Sequence, residues 1–81
     1  MRVELENGLY EILATNRSCD VDTARAEVGA TGTIDSIEGV ELIAAAESRY
    51  GVAITDQELA RVCTRIPQIA ALVAARLGGN V

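Results

Sequence analysis

Apolar residues recur at helical spacing in several segments of the chain. The first segment, residues 3–16, carries them on one side, at Val3, Leu5, Leu9, Ile12 and Leu13. A second segment starts at Asp35 or Ser36, both of which are good N-cap residues, and ends at Tyr50 before Gly51. The pattern therefore predicts an amphipathic helix in each of these segments.

Two shorter helices are predicted towards the C-terminus. Residues 55–58, Thr-Asp-Gln-Glu, have capping-box spacing and predict a third helix that runs to about Arg61. In the fourth helix, Pro67 falls in the first turn, where proline is tolerated, and the glycine pair at 78–79 ends the helix. One side of this helix is apolar, at Ile66, Ile69, Ala70, Val73 and Leu77.

The segment between the first two helices, residues 17–34, shows no sustained apolar period. It contains residues typical of loops, namely Asp20, Asp22, Gly29 and Gly32. We therefore predict an all-α fold, a small four-helix bundle with a long loop between helices 1 and 2. A chain of 81 residues has the length of a single domain, residues 1–81. Because so short a chain buries only about 60% of its surface on folding, we expect no deep catalytic cavity.

The composition narrows the possible chemistry. The chain has no histidine and only two cysteines, Cys19 and Cys63, which excludes serine–histidine triads, histidine-ligated zinc and four-cysteine metal sites. We predict no metal site. No apolar run approaches the roughly 18 residues of a membrane span, and the charged N-terminal residues do not resemble a signal peptide. We expect a cytoplasmic protein.

The negative charge is concentrated in the middle of the chain. Residues 35–58 hold six acidic residues and one arginine, whereas acids and arginines balance elsewhere, so the whole net charge of −5 falls on this segment. One interpretation is an ordinary solvated surface, and the other is a surface that steers a basic partner. An acidic chain whose only aromatic residues are Tyr10 and Tyr50 does not suit nucleic-acid binding.

The second helix has two apolar sides. At 100° per residue the core side consists of Gly39, Leu42, Ile43, Ala46 and Tyr50. The opposite side, called the outer face below, consists of Ile37, Val40 and Ala44 with Glu41 and Glu47 beside them. Because a helix with a purely structural role would be polar on its outer side, the outer face is predicted to be a docking surface.

Ser36 is the candidate site for chemistry. It lies at a helix N-terminus directly after Asp35, where backbone N–H groups and the helix dipole favour a phosphate group. The alternative is that Ser36 is only an N-cap. The chain has no histidine to activate the hydroxyl, so another protein would have to catalyse its modification. We predict no catalytic residue.

Residues 35–43, Asp-Ser-Ile-Glu-Gly-Val-Glu-Leu-Ile, resemble the motif at which acyl and peptidyl carrier proteins begin their second helix. The resemblance extends over roughly residues 3–77, through the long loop, the segment 51–59 and the last amphipathic helix. The form Gly32-Thr33-Ile34-Asp35-Ser36, followed by Tyr50-Gly51-Val52, is more similar to free-standing carriers of amino acids, such as D-alanyl carrier proteins, than to fatty-acid carriers.

The resemblance implies that a separate phosphopantetheinyl transferase attaches 4′-phosphopantetheine, taken from coenzyme A, to Ser36, next to Asp35. It also implies a discrete, non-enzymatic carrier whose cargo is a thioester. The implied partners, besides the transferase, are acyltransferases, adenylation enzymes, ligases or synthases with basic docking surfaces. The positions implied to contact them are Ile37, Glu38, Val40, Glu41, Ala44 and Glu47.

The expected cargo is an aminoacyl, acyl or peptidyl group of a polyketide or nonribosomal peptide pathway, such as antibiotic biosynthesis. Two alternatives stay open: a fatty-acid acyl carrier protein, or a helical interaction module without a cofactor. We expect a monomer, because a shuttle does not need to self-associate.

Overall fold

The computed structural model describes residues 2–78, which form five α-helices. The helices are α1 (Arg2–Arg17), α2 (Val21–Val28), α3 (Ser36–Tyr50), α4 (Asp56–Val62) and α5 (Ile66–Gly78). Within the described residues, β-pairing is limited to one isolated antiparallel bridge between Thr33 and Arg65. None of the described helices is long and apolar enough to cross a membrane. The predicted all-α bundle is confirmed.

The segment predicted to be a long loop contains the additional helix α2. Asp20 caps it by accepting a hydrogen bond of 2.7 Å from the backbone N–H of Thr23. The Arg25 guanidinium lies over the ring of Tyr10 in α1, 4.3 Å from the ring centroid. Ala24 is the one fully buried residue of these eight. An eight-residue helix with one small buried side chain has no apolar period, and this is why residues 17–34 resemble a loop in the sequence.

The predicted ends of α3 and α4 are confirmed, and the first helix, predicted for residues 3–16, extends from Arg2 to Arg17. Asp35 is the N-cap of α3, and Gly51, with a φ of 66°, ends the helix in the left-handed conformation. Thr55 and Glu58 form the capping box of α4. The last helix ends at Gly78, and the second glycine of its predicted stop, at position 79, lies outside the described residues.

The core lies where α1, α3 and α5 meet. Its largest fully buried side chains are Leu9, Leu13, Leu42, Ile43, Ile66, Ile69 and Val73. The predicted core side of α3 is confirmed, since Gly39, Leu42, Ile43 and Ala46 are buried. Tyr50 is half-buried and packs against the same cluster. The two thiols are free; Cys63 is buried and Cys19 is half-buried.

The turn between α4 and α5 holds the segment that leads into α3. The Ile34 N–H donates to the Thr64 carbonyl at 2.9 Å, and the Ile66 N–H donates to the Gly32 carbonyl at 2.9 Å. Two backbone hydrogen bonds therefore fix the direction in which the chain enters α3.

Candidate functional site

Ser36 is the first residue of α3 and is exposed. Its hydroxyl makes no hydrogen bond to any other described residue. The side chain that the sequence singled out is therefore at the surface and is not engaged by the fold.

The neighbouring residue, Asp35, caps the helix. Its Oδ1 accepts a hydrogen bond from the backbone N–H of Glu38 at 2.8 Å, and its carbonyl accepts one from the N–H of Gly39 at 2.9 Å. The interpretation of Ser36 as the N-cap is therefore wrong. Capping by Asp35 leaves the Ser36 hydroxyl available for another role.

The first turn of α3 also offers backbone donors. The first N–H groups of an α-helix have no partner within the helix, and Asp35 satisfies those of Glu38 and Gly39. The N–H groups of Ser36 and Ile37 have no acceptor among the described residues. Because these donors lie at the positive end of the helix dipole, they favour a phosphate on the adjacent hydroxyl.

The apolar part of the outer face is exposed. Ile37 is 74% exposed and Val40 is 44% exposed, and Ala44 is also exposed. Glu41 is exposed beside them and forms no ion pair within the described chain. These four residues form a continuous surface next to Ser36, because positions three and four apart are neighbours on a helix.

Two of the acidic residues assigned to partner contact are engaged inside the domain. Arg17 donates to both carboxylate oxygens of Glu38, through Nε at 2.7 Å and through Nη2 at 2.8 Å. Glu47 Oε2 accepts the backbone N–H of Ile54 at 2.9 Å. Glu38 and Glu47 are half-buried. The Glu38 and Glu47 carboxylates are therefore both bound within the domain.

Arg17 is the residue at this site that the sequence did not reveal. Its hydrogen bonds to Glu38 raise the pKa of its guanidinium above the ordinary value. Glu38 lies 21 positions away along the chain, so no helical spacing relates the two residues. Only the packing of the end of α1 beside the start of α3 brings them together.

Two other arginines, Arg61 and Arg65, are exposed and form no ion pair within the described chain. Within residues 2–78 no three His, Cys, Asp or Glu side chains are grouped closely enough to hold a metal ion.

A comparison with protein families matches residues 11–73 to the model of the phosphopantetheine attachment site. No curated protein and no solved structure matched the chain. The matched residues make up more than half of the chain and include all of α3 with Asp35 and Ser36. Domains of this family carry 4′-phosphopantetheine covalently and are not themselves catalytic. The chain belongs to the phosphopantetheine attachment-site family of carrier domains.

Proposed function

We propose that this protein carries 4′-phosphopantetheine on Ser36 Oγ and shuttles thioester-bound aminoacyl, acyl or peptidyl groups between the enzymes of a polyketide or nonribosomal peptide pathway. The observation that supports this proposal is the state of Ser36, whose hydroxyl is exposed at the start of α3 while Asp35 caps the helix. The hydroxyl of a capping serine would instead be engaged with a backbone N–H of the first helical turn.

The modification is a phosphoryl-type transfer to the serine. Ser36 Oγ attacks the phosphorus of coenzyme A that bears the pantetheine, the new O–P bond forms, and the bond to adenosine 3′,5′-bisphosphate breaks. The proton of the hydroxyl passes to a base of the transferase, because the chain has no histidine and the nearby Asp35 carboxylate, which accepts the N–H of Glu38 through Oδ1, is a weak base for a hydroxyl. Once attached, the group supplies a terminal thiol that holds the cargo as a thioester.

The chain's own residues serve attachment and docking. The N–H groups of Ser36 and Ile37, which have no acceptor within residues 2–78, favour the negative charge of the phosphodiester. The outer face offers apolar contact through Ile37, Val40 and Ala44, bordered by acidic residues. This combination suits brief contact with basic partner surfaces, because electrostatic complementarity speeds association without requiring tight binding.

Among the acidic residues, Glu41 is the one that we expect to meet a partner's cation directly, since it is exposed and unpaired within the described chain. Glu38 and Glu47 belong to the same proposed surface. The Glu38 carboxylate is neutralised by its ion pair with Arg17, whereas Glu47, which accepts only the backbone N–H of Ile54, contributes its negative charge from a fixed position.

The proposed cargo class rests on the resemblance to amino-acid carriers at residues 32–36 and 50–52. A fatty-acid carrier is the second candidate. The mass of the group bound to the protein purified from its native host distinguishes the two, since an amino acid or a short acyl unit supports the proposal and a long acyl chain contradicts it.

Attachment at Ser36 is tested by intact mass spectrometry after incubation with coenzyme A, magnesium and a broad-specificity phosphopantetheinyl transferase. We expect the parent chain to gain the mass of one phosphopantetheine and Ser36→Ala to gain nothing. Ser48→Ala is the matched control, because Ser48 is an exposed serine on the same helix, and we expect it to be modified like the parent.

The proposal fails if the parent gains no mass under conditions in which a known carrier protein is fully modified. It also fails at this residue if Ser36→Ala is modified as rapidly as the parent chain.

A further inference from the structure

Arg17 joins three helices at the start of α3. It is the last residue of α1, and its guanidinium donates to both oxygens of Glu38 in α3, at 2.7 and 2.8 Å, and to Glu27 in α2 at 3.0 Å. The Arg17 and Glu38 side chains are only 25% and 23% exposed, whereas that of Glu27 is 52% exposed. The bidentate ion pair of Arg17 with Glu38 is therefore the part of the cluster that is shielded from solvent, and Glu27 orients the guanidinium from the solvent side.

Glu38 is held at two points. Its backbone N–H donates to Asp35 Oδ1 at 2.8 Å, while its carboxylate is held by Arg17. Ser36 and Ile37 lie between Asp35 and Glu38 in the sequence. Since both ends of this short segment are fixed, the direction in which the Cα–Cβ bond of Ser36 leaves the helix is fixed as well.

We propose that Arg17 is a positioning residue for the modification of Ser36, acting through Glu38. The inference rests on the proposed function, because it concerns the reaction of the same hydroxyl. The bidentate Arg17–Glu38 ion pair holds the first turn of α3 in the orientation that presents Ser36 Oγ to the transferase. Glu38 accordingly acts within the domain, and the outer face contacts the partner through Ile37, Val40 and Glu41.

A second ion pair between the same two helices provides a matched control. Arg49, near the C-terminal end of α3, donates through Nη2 to Glu11 in α1 at 2.8 Å. It joins α3 to α1 as the Arg17–Glu38 pair does, but at the end of α3 that is remote from Ser36. Loss of either pair removes one connection between these helices, and only loss of the first should affect the modification.

The experiment measures kcat and KM of the transferase for the parent chain, Arg17→Gln, Glu38→Gln, the double variant and Arg49→Gln. We expect kcat to fall between about tenfold and 100-fold for Arg17→Gln, because misplacement of a reacting atom by about 1 Å has an effect of that size. The KM for the carrier should not rise, since the outer face is intact. Arg49→Gln should keep the kcat of the parent.

The double variant tests whether Arg17 acts through Glu38. If the two residues form one unit, the double variant should be no slower than the slower single variant. A Glu38 that instead contacted a basic surface of the transferase would raise KM when changed, and its effect would add to that of Arg17→Gln. That result would overturn the inference.

Hydrogen exchange of the unmodified chain gives a readout that does not depend on the transferase. We expect the amides of Glu38 and Gly39, which donate to Asp35, to exchange faster in Arg17→Gln than in Arg49→Gln or the parent. If Arg17→Gln does not fold, Arg17→Lys replaces it, since lysine keeps the charge and lacks the planar fork.

Two failures are distinguishable. A parent chain that is not modified on Ser36 contradicts the proposed function and the inference together. An Arg17→Gln variant that folds and is modified with the kcat and KM of the parent overturns the inference alone and leaves the carrier function in place.

Discussion

Gly39 in α3 lies directly against the backbone carbonyl of Cys63, in the turn between α4 and α5. A Cβ atom built on Gly39 would overlap both the oxygen and the carbon of that carbonyl, and it would stand 3.0 Å from the Cys63 Cβ. Only a residue without a side chain allows the two backbones to come this close. The contact holds the first turn of α3 against the turn whose backbone also bonds to Ile34 and Gly32.

Gly39→Ala is expected to destabilise the protein by about 1–3 kcal/mol, because the obstacle is backbone that cannot move aside. This is opposite to the usual effect of alanine in a helix, which is a gain of about 1 kcal/mol over glycine. Urea unfolding provides the measurement. Gly78→Ala is the control, since no atom lies within 4 Å of a Cβ added there, and a Gly39→Ala variant as stable as the parent would contradict the packing described.

Replacement of Asp35 and of Ser36 should have different effects on stability. Asp35→Ala removes the cap of α3 and should lower the free energy of unfolding by about 0.5–2 kcal/mol. Ser36→Ala removes a hydroxyl that bonds to no described residue and should change that free energy by no more than about 0.5 kcal/mol. Chemical denaturation gives the free energy of unfolding of both variants. If Ser36→Ala were the less stable of the two, Ser36 would be the cap.

Charge reversal on α3 should separate docking from stability. Glu41→Lys changes an exposed carboxylate that has no ion-pair partner within residues 2–78, and it should weaken binding to the transferase without changing the unfolding midpoint. Glu47→Lys also removes the acceptor of the Ile54 N–H and should therefore lower stability. Titration calorimetry at two salt concentrations provides the measurement, since parent binding should weaken as salt screens the attraction.

Asp22→Lys on α2 makes the same change in net charge outside α3, and it serves as the control for this experiment. Equal weakening by Asp22→Lys and Glu41→Lys would mean that net charge, rather than the outer face, determines the binding.

The loss of folding stability at acid pH should depend on Glu58. Its pKa lies below the ordinary value of 4.5, first because its carboxylate accepts the backbone N–H of Thr55 and second because it pairs with Arg76. A carboxyl whose pKa is lower in the folded state contributes stability above its unfolded pKa, and that contribution is lost as the pH falls through the folded value.

Glu58→Gln should therefore reduce the loss of thermal stability that occurs as the pH falls below 4.5. Arg76→Gln should lose nearly as much stability as the parent on acidification. The hydrogen bond from the Thr55 N–H, which is the larger cause of the lowered Glu58 pKa, is still present in this variant. Melting temperatures measured across this range check both statements. If the melting temperatures of the parent and Glu58→Gln changed equally with pH, Glu58 would not be a source of the acid sensitivity.

The features that the sequence predicted correctly depend on residues close together in the chain. Asp35 before α3, Gly51 after it and the Thr55–Glu58 capping box follow from hydrogen bonds within one turn. The core side of α3 follows from helical periodicity, since Gly39 and its companions repeat at three and four residues. The position of Ser36 at a helix start could be predicted for the same reason.

The features that the sequence did not reveal depend on how helices pack. Ala24, the single buried residue of α2, leaves no periodic pattern to identify that helix. The sequence also gives no sign that Glu38, Glu41 and Glu47 differ. In the structure Arg17 binds Glu38 and the Ile54 backbone binds Glu47.

The amino-acid sequence by itself determined the helix ends, the buried side of α3 and the serine at its start, because each depends on interactions within a few residues. Tertiary structure decided which acidic side chains remain free, how closely Gly39 approaches Cys63 and what holds the turn that bears Ser36. Those outcomes depend on distances between helices, and such distances are set only when the apolar sides of α1, α3 and α5 pack into one core.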